Sequence, residues 1–252
     1  PRAMSRTTLT LATLAAVAIA CAGPGAQKLR RGAEIHHDLA VAALNGGRAQ
    51  EALREYDQAL AMHANFPEAH LGRGIVYEFG FGKLEEAEKD YRRAIALKPD
   101  YPEAHNNLGQ LLAKTGRLEE AIREFDVAIG DIMYREPYVA RCNKGLALVR
   151  LGKKEEGRAE LRSCVSLSPR YCNGRRELGT LYLSEGRTKE AIEQFTAYAD
   201  VCKIPDAFLR LAQAKMKSGD IAGARAAFEE CGKVGAGTRE ADECVRSLNL
   251  LQ

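Results

Sequence analysis

Residues 102–131 read PEAHNNLGQLLAKTGRLEEAIREFDVAIGD, and their spacing decides the architecture. Small residues fall at Gly109, Gly116, Ala121 and Ala128, and larger apolar ones at Leu108, Leu112 and Phe125. Gly109 and Ala121 let two antiparallel helices approach closely. Gly116 permits the tight turn between them, Phe125 fills the gap beside the next pair, and His105 takes a slot suited to an aromatic ring. One such pair cannot bury its own apolar face, so the segment requires a stack of its kind.

Further copies follow when the chain is aligned on these slots. The first, 33–66, keeps Gly47, Ala52, Tyr56 and Ala59; the second, 67–101, keeps Gly74, Tyr77, Gly82, Ala87, Tyr91 and Ala94 with one extra residue near Gly80. The third, 102–137, carries about two extra residues before Tyr138. The fourth, 138–171, has Gly157 and Cys164 in alanine slots; the fifth is 172–204 and the most degenerate, 205–238, is the sixth. The pattern resembles the tetratricopeptide repeat (TPR). That resemblance implies an all-α fold, a right-handed superhelical α-solenoid of six helix pairs over 33–238, closed by a capping helix over 239–252.

The N-terminus differs in kind. Met4 is expected to start translation, with Pro1–Ala3 upstream of it. Arg6 then precedes an apolar run from Leu9 to Ala20, too short to span a bilayer but suited to the core of a signal peptide. Ala18-Ile19-Ala20 directly before Cys21 resembles a bacterial lipobox, with simple cleavage after Ala20 as the alternative. The lipobox reading makes 1–20 a lipoprotein signal peptide and Cys21 the acylated first mature residue. By resemblance to the usual sorting rule, Ala22 rather than Asp directs it to the outer membrane, lipid-anchored and facing the periplasm. Stretch 21–32 then reads as the lipidated cysteine and a flexible tether, ten residues of which reach at most about 35 Å. Loss of Arg2 and Arg6 would take the net charge from +3 to +1. With no basic stripe, nucleic acid is not an expected partner.

Six further cysteines, Cys142, Cys164, Cys172, Cys202, Cys231 and Cys244, form an even set in an exported chain, which favours disulfides. In repeat register they gather at one edge of the stack. Cys231–Cys244 is the expected bridge. For the other four, Cys142–Cys172 with Cys164–Cys202 competes with Cys164–Cys172 and Cys142–Cys202. The absence of C-x2-C spacing argues against zinc. No P-loop, HExxH or GxSxG motif occurs, and His36-His37, being adjacent, cannot chelate as an i, i+4 pair would. No enzyme, metal or cofactor is expected.

In a TPR stack the first helix of each pair lines the concave groove. This register places His37, Val41 and Leu44 of the first repeat beside Leu71, Ile75 and Phe79 of the second, an expected apolar patch, with polar Asn106 and Gln110 beyond it. Such a patch marks a partner site, each buried side chain contributing roughly 1.5–3 kcal/mol before association costs. Carboxylate-clamp TPR domains of cytosolic chaperone partners use Lys and Asn where this chain has His37 and Val41, so an apolar strand or helix face is the better fit.

Lipobox, tether, six repeats and an apolar first groove together resemble the outer-membrane pilotin lipoproteins of type IV pili, the family of Tgl, PilF and PilW. Locally the likeness rests on Asn106-Asn107-Leu108-Gly109 and on the junction Asp131, Tyr134, Arg135, Glu136, Pro137, Val139, Asn143, Gly145 and Leu146, with the order of Arg, Glu and Pro shuffled. The resemblance implies a monomer that assists multimerisation of the pilus secretin and so supports pilus-driven motility. The partners implied are the type IV pilus secretin and outer-membrane lipid, the latter through acylated Cys21. A periplasmic TPR adaptor lipoprotein for peptidoglycan synthesis or outer-membrane protein insertion is the alternative.

Overall fold

A computed structural model describes residues 23–251. Among them are thirteen α-helices and no strand: α1 (Pro24–Asn45), α2 (Ala49–Met62), α3 (Pro67–Ile75), α4 (Leu84–Leu97), α5 (Pro102–Lys114), α6 (Leu118–Gly130), α7 (Pro137–Arg150), α8 (Lys154–Leu167), α9 (Cys172–Ser184), α10 (Thr188–Cys202), α11 (Pro205–Ser218), α12 (Ile221–Val234) and α13 (Arg239–Asn249). Proline opens α1, α3, α7 and α11, where its missing N–H costs nothing and its fixed φ suits the first turn. Each helix pair turns through a glycine at positive φ: Gly47, Gly82, Gly116, Gly152, Gly186 and Gly219. This is the six-pair TPR pattern with a single last helix.

Two compact units divide inside α5, the first ending at Leu108 and the second beginning at Gly109. In the first unit, Ala33, Ala40 and Ala43 of α1 bury against Ala52, Tyr56 and Ala59 of α2, with Ala69 and Val76 joining them. The second unit holds a continuous cluster from Cys142 to Cys244 that includes Phe195, Tyr198 and Phe228. Close approach explains its glycines. A Cβ on Gly109 would sit 2.6 Å from the Phe125 ring, and one on Gly145 would sit 2.9 Å from the Gly157 carbonyl oxygen. Gly157 therefore stands in its alanine slot because α7 and α8 cross there backbone to backbone.

The tether expected over 21–32 is helical from Pro24 onward. Proline at the helix start followed by Gln27-Lys28-Leu29-Arg30-Arg31, all good helix formers, extends α1, and Met62 covers the position of Gly32. The nine helical residues of this stretch, 24–32, rise about 13 Å, far less than an extended chain. Cys21, like the signal segment, lies outside the described residues.

The extra residue of the second repeat is absorbed as a π-helical turn, Val76–Gly80, that continues α3. Gly80 closes it where a Cβ would lie 2.8 Å from that of Ala49. The extra residues of the third repeat form the turn between α6 and α7. Asp131 Oδ1 accepts the Met133 amide at 2.7 Å, Tyr134 is buried beside Ala128 and Ala140, and Ile132 and Met133 stand out in solvent.

Three disulfides join Cys142 to Cys164, Cys172 to Cys202 and Cys231 to Cys244, with Cα–Cα separations of 5.4, 6.1 and 6.1 Å. Both arrangements weighed for the first four cysteines are thus corrected. In an antiparallel pair, the start of the first helix lies beside the end of the second, so Cys142–Cys164 and Cys172–Cys202 close within a repeat rather than between repeats. Cys231–Cys244 ties α12 to the last helix.

Candidate functional site

The concave positions of the first two repeats do not form one open patch. Leu71 is 7% exposed and Asn106 6%, so neither presents its side chain to a partner, which corrects their place in the groove. Leu44 packs on the first unit's core, and Ile75 is half-buried. His37 is also half-buried, its ring 5.3 Å from that of Phe66 and 5.9 Å from that of Tyr56. Of the expected groove positions, the apolar ones left open are Val41 on α1, at 37% exposure, and Phe79 on the π-helical turn, at 65%; Phe81, directly after the turn, is exposed too.

That turn inverts the usual preference. Glu78 is buried, accepting a hydrogen bond from the Tyr91 hydroxyl at 3.1 Å, while its neighbour Phe79 faces solvent. Burial pushes the Tyr91 hydroxyl's pKa up, and the Glu78 carboxylate adds to the shift. Burying a carboxylate and exposing a phenyl ring both oppose stability. Single π-turns recur at functional sites, and here the inserted residue re-aims Phe79 outward.

A charged network fixes α3, the helix that carries this turn. Arg73 donates to both oxygens of buried Asp90, through Nε at 2.7 Å and Nη2 at 2.9 Å, and through Nη1 to Asp57 at 2.8 Å. His70 Nδ1 lies 2.8 Å from Asp90 Oδ1, and its Nε2 lies 3.0 Å from the Ala64 carbonyl oxygen. Burial alone would raise the Asp90 pKa; the hydrogen bonds from His70 and Arg73 outweigh it and hold the carboxyl below its ordinary range. The sequence signal for this network was the basic residue at the fourth place of each early repeat, His36, His70 and His105.

Among the described residues, no group of three His, Cys, Asp or Glu side chains could hold a metal ion, and no helix is long and apolar enough to cross a membrane.

Tetratricopeptide-repeat family models match residues 33–58, 138–171 and 206–233, and a TPR-repeat model matches 81–116. The chain is a TPR-repeat protein. Its fold is similar to that of PilW, whose structure is described as that of a widely conserved type IV pilus biogenesis factor, at 23% identity and TM-score 0.76, covering 84% of this chain and 98% of that one. It is also similar to PilF of Pseudomonas aeruginosa, at 20% identity and TM-score 0.73 over 88% and 99% of the two chains. MamA of Desulfovibrio magneticus RS-1 is similar at 22% identity and TM-score 0.58, over 68% and 94%. No curated protein sequence matches the chain.

Proposed function

We propose that the protein is an outer-membrane lipoprotein that assists assembly of the type IV pilus secretin, nearest to Tgl within the pilotin family. The observation that carries this reading is the extent of likeness. It covers 84% of this chain at TM-score 0.76 for PilW and 88% at 0.73 for PilF, against 68% at 0.58 for MamA. Asn106-Asn107 and the Asp131–Pro137 junction support it at the level of residues.

In this reading, Val41, Phe79 and Phe81 bind an apolar segment of a secretin monomer. An acyl anchor on Cys21 keeps that surface at the inner leaflet of the outer membrane. Confinement of the chaperone raises the effective concentration for a partner inserting there.

The test is the double substitution Val41→Ser with Phe79→Ser, both at open positions, so that folding is preserved. Secretin multimers in cell envelopes should fall while the protein's level and helical content stay unchanged; undiminished multimers would reject the assignment. Recovery of a peptidoglycan synthase or outer-membrane insertion machinery, with no secretin, would favour the adaptor alternative. Separately, Cys21→Gly should release the protein from the outer-membrane fraction.

A further inference from the structure

Within a repeat, the fourth residue faces the seventh residue of the second helix. In repeat one, His36 Nδ1 lies 2.6 Å from Glu55 Oε2, and in repeat two His70 meets Asp90 at 2.8 Å. In repeat four, Arg141 Nη1 donates to Glu160 Oε2 at 2.8 Å. A basic side chain and a carboxylate thus recur at one place in the fold. Repeat five keeps the base and loses the acid. Arg175 Nη1 donates to the neutral Gln194 Oε1 at 3.3 Å, and its Nε donates to the Pro169 carbonyl at 2.7 Å.

Nothing else neutralises this cation: among the described residues, no carboxylate forms an ion pair with Arg175. Desolvation alone acts on the guanidinium and lowers its pKa, with no acidic neighbour pulling it back. A half-buried cation without a counter-ion is unfavourable.

Arg175 lines a groove of about 410 Å³ formed by α8, α9 and α10. Arg162 of α8 lines it too, while Leu178 and Tyr182 of α9 supply apolar surface. Glu190, Glu193 and Gln194 of α10 line it as well, together with Arg187, which pairs with Glu190 at 2.6 Å. Among the described residues, the groove therefore offers two arginines that pair with no carboxylate, Arg162 and Arg175, together with one unpaired carboxylate, Glu193.

We propose that this groove is a docking site for a partner polypeptide that presents an acidic side chain with a basic residue close by. The partner's carboxylate supplies the counter-charge that Glu55, Asp90 and Glu160 supply in their repeats, pairing with Arg175 and Arg162 from the groove beside Gln194. Its basic residue lies toward Glu193. Charge complementarity selects this ligand over a phosphate group, whose second negative charge would meet the unpaired Glu193. The site lies in the second unit, on residues separate from Val41 and Phe79, and does not rest on the pilus reading.

Two blocked, fluorescently labelled peptides test it on the full chain by fluorescence anisotropy: one carries Glu and Lys four residues apart in an alanine background, the other has Gln in place of that Glu. The Glu peptide should bind at least tenfold more tightly than the Gln peptide. Gln194→Glu should weaken its binding at least tenfold while maintaining or raising the thermal midpoint, because an internal carboxylate then occupies Arg175. Arg175→Gln should weaken binding with helical content preserved. Equal binding of the two peptides, binding undiminished by Gln194→Glu, or binding of neither peptide would overturn the proposal. Displacement of the Glu peptide by equimolar inorganic phosphate would also overturn it, showing a plain anion site instead.

Discussion

Replacing Cys142 and Cys164 together by alanine should loosen the second unit and leave the first intact. The bridge closes a loop with a sequence separation of 22. Removing that constraint from the unfolded chain costs roughly 3.4 kcal/mol on the chain-entropy model. Packing adds to this, because the bridge forms the seat of the next helix. A Cβ on Gly174 of α9 would lie 3.0 Å from Cys164 Sγ and 3.1 Å from Cys142 Sγ. Losing both sulfurs opens a void worth about 1 kcal/mol, for a total of about 4 kcal/mol. Repeat arrays can unfold in parts, so hydrogen exchange read peptide by peptide is the suitable assay. Amides of α7, α8 and α9 should lose protection in the double variant, and those of α1 to α4 should not change. Equal loss in both units, or a change below about 1 kcal/mol in the second, would refute the reasoning, since either result would mean that the bridge does not hold its own repeat.

Other consequences are more local. Asp90→Asn should destabilise the first unit by roughly 3–5 kcal/mol, because it leaves Arg73 without its main buried partner; urea unfolding monitored by circular dichroism would measure it. The depressed Asp90 pKa also predicts a pH dependence. Its contribution is fully present above the unfolded carboxyl value of about 4, and is lost as pH falls through the lower folded value. Unfolding midpoints taken below pH 4 should therefore drop less steeply in Asp90→Asn than in the natural protein. Gly145→Ala should cost about 1–3 kcal/mol, because its methyl group would press on the Gly157 backbone; a thermal melt suffices to read it.

The repeat architecture was legible because it depends on backbone proximity, which only small residues allow. Gly109 opposite Phe125 and the turn glycines Gly116 and Gly152 announce themselves by spacing. The binding surface was less legible, because a fixed register assumes an unbroken 3.6-residue period. The surplus residue near Gly80 was visible, but its absorption as a π-helical turn, which turns Glu78 in and Phe79 out, was not. Leu71 and Asn106 fall at groove positions by register and are nonetheless enclosed. Gly23 and Pro24 suggested a linker, yet proline at a first helical position starts a helix as readily as it breaks one. For the cysteines, register identified the shared edge; choosing partners required knowing which helix ends lie side by side. The Arg175–Gln194 mismatch became meaningful only when the contacts of the equivalent pairs in repeats one, two and four were seen.

Placing a photoreactive amino acid at position 79 in living cells, and identifying what it captures on illumination, tests the proposed function most directly. A covalent adduct with secretin monomers, formed during channel assembly and reduced by Val41→Ser, is the expected result. Efficient capture of other envelope proteins at position 79, with secretin absent from the adducts while its multimers still form, would contradict it.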